Sequence, residues 1–380
     1  MSFNSFGLSP LLLKELANQN YIQPYPIQNK AIPAILKGKD VLGIAPTGSG
    51  KTASYVLPIL TNLEGNTDSK NRNVNVLVLV PTRELAVQVR EVFRLFSAVL
   101  PEQIKSLAVY GGVSINPQMK ALHGVNILVA TPGRLLELVE SNAVHLSRLN
   151  TLVLDEADKM LNLGFKEEMN QIFSLLPKIR RNLLFSATLS EDVKNINQIL
   201  LHNPLVIKIE VENENINLIN QLAYLVPDGK KGPLLRYLIK NNDFKQVLVF
   251  TSSVYKADNV ADKLRKNGID ASAIHSKKSQ GARTDALGRF KSGKLKVLVT
   301  TDLLSRGIDI EFLPCVINYE LPRSPKDYVH RIGRTGRAEN PGEAISFITE
   351  EDQHHFKIIQ KKMGKMVTKV NSEEIDLKGY

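Results

Sequence analysis

The 380 residues, 43% of them hydrophobic, exceed one typical core and predict two domains of roughly 150–220 residues each. The single cysteine, Cys315, excludes an intrachain disulfide, and no apolar run approaches the ~20 residues of a bilayer span. Met1–Gly7 shows no basic-then-apolar leader, so a soluble cytoplasmic protein is expected. Its charge of +11, with +5 over residues 1–208 and +6 over 209–380, suits a polyanion or plain solubility equally.

The first apolar, β-rich run is Val41–Ile44. The octet Ala45-Pro-Thr-Gly-Ser-Gly-Lys-Thr52 follows it and opens a helical pattern, the strand–loop–helix context of a phosphate-binding loop. The tight turn through Pro46, Thr47, Gly48, Ser49 and Gly50 lets backbone N–H groups meet the β- and γ-phosphates. Lys51 adds a full charge, and Thr52 offers a hydroxyl to Mg2+. Ala45 stands where the general pattern has Gly, and a Gly-containing turn is the bland alternative.

Further runs at Val74–Val80, Ser106–Val109, Ile127–Ala130, Thr151–Leu154, Leu183–Ser186 and Val206–Ile209 alternate with helical periodicity, as at Glu84–Val99 and Lys166–Leu176. Such alternation predicts a parallel sheet covered on both faces. Asp155 and Glu156 project from the C-terminal end of the run at Thr151–Leu154. One carboxylate there can hold Mg2+ through water while its neighbour orients or deprotonates an attacking water. Paired with the phosphate loop, they predict hydrolysis of a nucleoside triphosphate.

Residues 1–208 form the expected first domain. Residues 209–217, rich in Asn and Glu, read as a linker. Alternation resumes over 218–363 with Gln246–Thr251, Ala271–Ile274, Val297–Thr300, Cys315–Asn318 and Glu343–Ile348, and 364–380 reads as a frayed C-terminal extension. Residues 251–300 alone carry +7. His330-Arg-Ile-Gly-Arg-Thr-Gly-Arg337 places three arginines within seven residues, beside glycines that an ion-pair cluster would not require. Arginines brought from a separate domain act as fingers that stabilise charge on a γ-phosphate.

The ordered set of segments resembles the DEAD-box ATP-dependent RNA helicases of superfamily 2 over about residues 3–350. Asp155-Glu-Ala-Asp158 is the signature, and Phe3 with Tyr21-Ile-Gln-Pro-Tyr-Pro-Ile-Gln28 looks like the isolated aromatic and Q motif. The rest of the set is Pro81-Thr-Arg-Glu-Leu-Ala86, Gly111-Gly112, Thr131-Pro-Gly-Arg134, Ser186-Ala-Thr188, Val249-Phe-Thr251, Gln280-Gly-Ala-Arg283, Thr301–Asp309 and the arginine cluster. The opening segment also resembles the bacterial RhlE-type branch. Asn20, Tyr25, Pro46 and Ser276 depart from the common pattern without removing a charged or phosphate-contacting group.

The resemblance implies an α/β fold of two tandem RecA-like parallel-sheet domains, with ATP and Mg2+ as cofactors. It implies that Gln28 pairs with adenine, an amide suited to N6 and N7. Tyr21 belongs to the same base site, and Phe3 either stacks on the base or acts as a staple for the first helix. Lys51 and Thr52 hold phosphates and Mg2+, Asp155 holds the metal through water, Glu156 is the general base, Asp309 reaches the ribose, and Arg334 and Arg337 are the finger candidates. Ser186, Thr188 and His330 link the nucleotide to closure of the domains. RNA phosphates and 2′-hydroxyls meet Arg83, Gly112, Thr131, Arg134, Thr251, Arg283 and Thr301, largely without regard to sequence. The implied protein is a monomer acting on single strands and short duplexes, with partners in ribonucleoprotein remodelling, RNA degradation or ribosome assembly. An ATP-gated RNA clamp and a DNA-directed helicase remain the alternatives.

Overall fold

The computed structural model describes residues 2–46, 48–65, 73–209, 219–302, 313–336 and 342–380. The chain divides into two compact units, Met1–Val211 and Glu212–Tyr380, with the boundary inside the segment read as a linker. Apart from Ile209, that linker lies outside the described residues. Among the described residues no helix is long and apolar enough to cross a membrane.

The first unit is built on seven strands: β1 (Val41–Ile44), β2 (Val76–Leu79), β3 (Ser106–Val109), β4 (Ile127–Ala130), β5 (Thr151–Asp155), β6 (Arg181–Ser186) and β7 (Leu205–Lys208). They form one sheet in the order β3-β4-β2-β5-β6-β1-β7, with every pairing parallel. Successive side chains on a strand point to opposite faces, so near-continuous apolar runs require cover on both. Val76, Val78, Val129, Val153 and Phe185 pack with the helices Pro26–Leu36, Lys51–Leu63 and Arg83–Ser97. Leu77, Leu79, Leu128, Leu152 and Leu184 pack with Pro132–Glu140, Lys166–Ser174 and Glu191–Leu200 on the other face. A parallel sheet brings the loops that follow its strands to one edge, and the phosphate loop and acidic signature emerge there.

The second unit repeats this arrangement with unrelated residues. Its strands are β8 (Asn220–Leu225), β9 (Val247–Phe250), β10 (Ala271–Ile274), β11 (Val297–Thr300), β12 (Cys315–Asn318), β13 (Glu343–Ile348) and β14 (Thr368–Asn371). Their order, β10-β11-β9-β12-β13-β8-β14, is that of the first sheet strand for strand. Cys315 is buried in β12, where desolvation pushes its thiol well above the ordinary range, in keeping with a structural residue.

The reading of 364–380 as frayed requires correction. β14 pairs in parallel with β8, while Ile375 and Leu377 pack on the core. The Tyr380 ring meets Tyr237 edge-on at 5.2 Å, and its hydroxyl accepts from Asn241 Nδ2 at 2.8 Å. The sequence around β14 is polar because this edge strand is mostly exposed, so no apolar run marks it.

Candidate active site

The phosphate loop owes its shape to glycines at positive φ, +78° at Gly48 and +84° at Gly50, where a side chain would be strained. A Cβ on Gly50 would also fall 2.5 Å from Gln28 Nε2 and 2.8 Å from the Tyr25 ring. Lys51 begins the helix Lys51–Leu63, and its ammonium donates to the carbonyls of Ala45 and Pro46 at 2.7 Å each. Burial holds this amine below the ordinary lysine range, against the opposing pull of Asp155 and Glu156. Neutral carbonyls are poor partners for a buried cation, and phosphate oxygens would compensate its charge better.

The acidic pair stands at the end of β5. Asp155 is 2% exposed, and burial followed by repulsion from Glu156 raises its carboxyl to about 6, with Lys51 and Tyr55 opposing. The Tyr55 hydroxyl donates to Asp155 Oδ2 at 2.8 Å. Glu156 adopts the left-handed conformation, φ +55° and ψ +47°, and caps the short helix Ala157–Asn162. For a residue with a Cβ that geometry costs roughly 1–2 kcal/mol and is characteristic of functional turns. Glu156 Oε1 accepts from Lys159 Nζ at 2.6 Å, while Oε2 is buried without a hydrogen-bond partner.

Hard oxygen donors beside a lysine-bearing phosphate loop fit Mg2+, which takes one or two protein oxygens and completes its shell with phosphate and water. Among the described residues no group of three or more His, Cys, Asp or Glu could hold a metal ion. Thr52 and Asp155 are the side chains able to supply it.

Asp158, quoted in the signature but assigned no role from sequence, joins the site to the next loop. Its Oδ2 accepts from Thr188 Oγ1 at 2.7 Å, and the Ser186 hydroxyl donates to the Thr188 carbonyl at 2.8 Å. A shift of the signature turn is therefore felt at residues 186–188.

The base-site candidates pack against the fold and the phosphate loop. Phe3 is 4% exposed, with its ring edge-on to Phe6 at 5.8 Å and Tyr21 at 6.5 Å. Tyr21 is half-buried and packs against Phe96 at 5.8 Å. Gln28 is fully buried, its Oε1 accepting from Tyr25 N at 2.9 Å and its Nε2 donating to the Gly50 carbonyl at 3.1 Å. Its amide thus ties the Q segment to the phosphate loop. Asn20 sits at φ +58°, a conformation asparagine tolerates better than most residues, which accounts for a position where Gly is common. Thr47, Asp309 and Arg337 lie outside the described residues.

The structure brings several nucleic-acid candidates together. A Cβ on Gly112, at φ +74°, would lie 1.8 Å from the Arg83 guanidinium, so the glycine makes room for that arginine. Arg134 is 5% exposed, and donates to the Val113 carbonyl and to Glu137 at 2.8 Å each, bracing the same loop from below. Thr131 is buried at the start of the helix Pro132–Glu140. In the second unit Thr251 is buried, its hydroxyl bonded to the Ser253 carbonyl at 3.2 Å, Arg283 is 7% exposed, and Thr301 is half-buried.

The arginine cluster divides by role. Arg331 grips Asp302 with two bonds of 2.6 and 2.7 Å and donates to Asn318 Oδ1 and the Glu320 carbonyl. It also lies 4.9 Å from the centre of the Phe250 ring. It is a structural ion pair. Arg334, 6% exposed, follows the helix Pro325–Ile332, which also carries His330.

Comparison with known proteins agrees with this site. The family described as DEAD/DEAH box helicase matches residues 25–196, and the helicase conserved C-terminal domain matches 230–339. The chain is 38% identical over 362 residues to the ATP-dependent RNA helicase CshA of Limosilactobacillus reuteri, covering 95% of this chain and 72% of that protein. This chain belongs to the DEAD/DEAH box helicase family. It is 39% identical over 377 residues to the ATP-dependent RNA helicase DeaD of Buchnera aphidicola subsp. Baizongia pistaciae, covering 99% of this chain but spanning 62% of that relative's length. Among solved structures, S. cerevisiae Dbp5 bound to RNA and ADP BeF3 superimposes with a TM-score of 0.86 at 30% identity, covering 99% of this chain and 97% of that one. That likeness agrees with the tandem RecA-like architecture expected from the sequence.

Proposed function

We propose that this chain is an ATP-dependent RNA helicase that couples hydrolysis of ATP to local separation of short RNA duplexes. The observation that carries the reading is the web linking Lys51, Asp155, Glu156 and, through Asp158, the loop at Ser186–Thr188. Lys51 would exchange its loop carbonyls for phosphate oxygens, and Thr52, with Asp155 through water, would hold Mg2+. The metal, when bound, neutralises charge on the β- and γ-phosphates. Glu156 uses its unpartnered Oε2 to orient and deprotonate the attacking water. Arg334 and Arg337 from the second unit stabilise charge on the transferred phosphoryl group, so turnover requires both units. RNA backbone contacts at Arg83 and Gly112 make binding largely independent of base sequence.

Placement in an RhlE-type branch rests on the N-terminal segment alone, whereas the relatives above carry the names CshA and DeaD. The test is steady-state ATP hydrolysis with RNA and DNA oligonucleotides of equal length. Stimulation by RNA well above that by DNA supports the reading. Equal stimulation by DNA would make this a DNA-directed enzyme, and none by either would remove nucleic acid from the account.

A further inference from the structure

Two side chains that no part of the mechanism has used make the closest contacts to the acidic pair. Tyr55 lies one helical turn beyond Thr52 and is fully buried. Its hydroxyl donates to Asp155 Oδ2 at 2.8 Å. The ring packs between Phe93 at 6.3 Å and Phe185 at 5.3 Å, an environment that a phenylalanine would fill equally well. Packing alone gives no reason to bury an O–H, which is unfavourable unless it finds a partner.

Lys159 holds the neighbouring carboxylate. Its ammonium lies 2.6 Å from Glu156 Oε1, with both side chains about one-tenth exposed. A surface pair at this helical spacing contributes little, but a desolvated one fixes geometry. One oxygen of Glu156 is held by a charged hydrogen bond, so the other, buried and without a partner, keeps a set direction.

We propose that Tyr55 and Lys159 are positioning residues that divide the adjacent carboxylates between them, Tyr55 fixing Asp155 for the metal and Lys159 fixing Glu156 for the water. The inference rests on the hydrolytic reading of the site. It requires that the two residues fail differently, which a shared packing role does not.

The experiment compares the full chain with Tyr55→Phe, Lys159→Met and Lys159→Arg. Three quantities are measured: affinity for a fluorescent N-methylanthraniloyl ADP across a Mg2+ titration, RNA-stimulated kcat and KM, and melting temperature. Tyr55→Phe is expected to raise the Mg2+ concentration for half-maximal tightening of ADP by about 10-fold, the scale of lost support to a metal ligand. Lys159→Met is expected to lower kcat by about 10-fold, part of the roughly 10²–10⁴-fold that a positioned base supplies, without moving KM or the Mg2+ requirement. Lys159→Arg should restore most of that loss.

A Mg2+ midpoint within twofold of wild type for Tyr55→Phe would overturn its assignment. Equal losses in both readouts for both variants, tracking melting temperature, would reduce the pair to packing. The ADP arm needs no RNA, so a wild-type chain without RNA-stimulated turnover would sink the hydrolytic reading while Tyr55 was still judged on metal-dependent binding.

Discussion

The two sheets share one strand order, yet the edges that carry their loops use buried charge in opposite ways. In the first unit Lys51 rests on neutral carbonyls, Glu156 keeps one oxygen without a partner, and Asp155 is raised to about 6 by burial and its acidic neighbour. In the second, Arg331 is satisfied by Asp302, Asn318, Glu320 and the face of Phe250. Glu156 Oε2 is left for a ligand in the proposed mechanism, whereas Arg331 is spent on the fold.

The sharpest break of this contrast comes from Glu156→Gln, which keeps shape and removes the base. Turnover should fall by about 10³-fold with ATP and RNA binding nearly intact, as read by single-turnover hydrolysis and equilibrium binding. Hydrolysis within a few-fold of wild type would remove Glu156 from the role of base.

The complementary substitution, Arg331→Ala, should act on stability. It removes the Arg331 bonds to Asp302 and Asn318 and is expected to cost about 3 kcal/mol in urea unfolding, the lower end for a broken buried pair because Asp302 is 30% exposed. If unfolding were unchanged and only kcat fell, the arginine would have to be returned to catalysis.

Asp155→Asn tests the opposite sign in the first unit. The folded carboxyl holds its proton more tightly than the unfolded chain does, so its ionisation weakens the fold as pH rises through about 6. Above pH 7 the variant should be more stable than wild type by roughly 1–3 kcal/mol, and near pH 4 the two should converge. Parity at both pH values would mean that Asp155 carries no such cost. The smallest effect is expected at Gly112→Ala, where a methyl displaces Arg83 and positive φ adds strain. Affinity for RNA should drop by about 10-fold, a loss of ~1.4 kcal/mol, in fluorescence anisotropy. An unchanged affinity would take Arg83 and Gly112 off the RNA path.

Sequence reasoning located most of the strands because a parallel sheet buried on both faces demands continuous apolar runs, and Val41–Ile44 or Val297–Thr300 can be read directly. It missed β8 and β14, which carry Asn220, Gln221, Thr368 and Lys369 and lie toward the edge of the second sheet, where half-buried strands need no such run. Site residues were legible where their chemistry follows from spacing, as at Lys51, Asp155 and Glu156. Gln28 and Phe3 are harder to read, since an amide or a ring serves a ligand or the fold with the same atoms. Tyr55 left no signal, because an aromatic inside an apolar helix face reads as core and its hydroxyl gains meaning only from Asp155, 100 residues away. Arg331 and Arg334 share one motif, and nothing in their spacing shows that the first is spent on Asp302.

If turnover requires both units, nucleotide and RNA are expected to favour one common state of the chain. The most direct test is RNA affinity of the intact protein with ADP–BeF3, with ADP and without nucleotide. Linkage requires ATP-like ligand and RNA to tighten one another by the same factor, expected to be roughly 5–150-fold. Tight binding with ADP–BeF3, lost with ADP and in its absence, is the predicted result. Equal affinity in all three conditions would contradict the account even if the protein hydrolysed ATP.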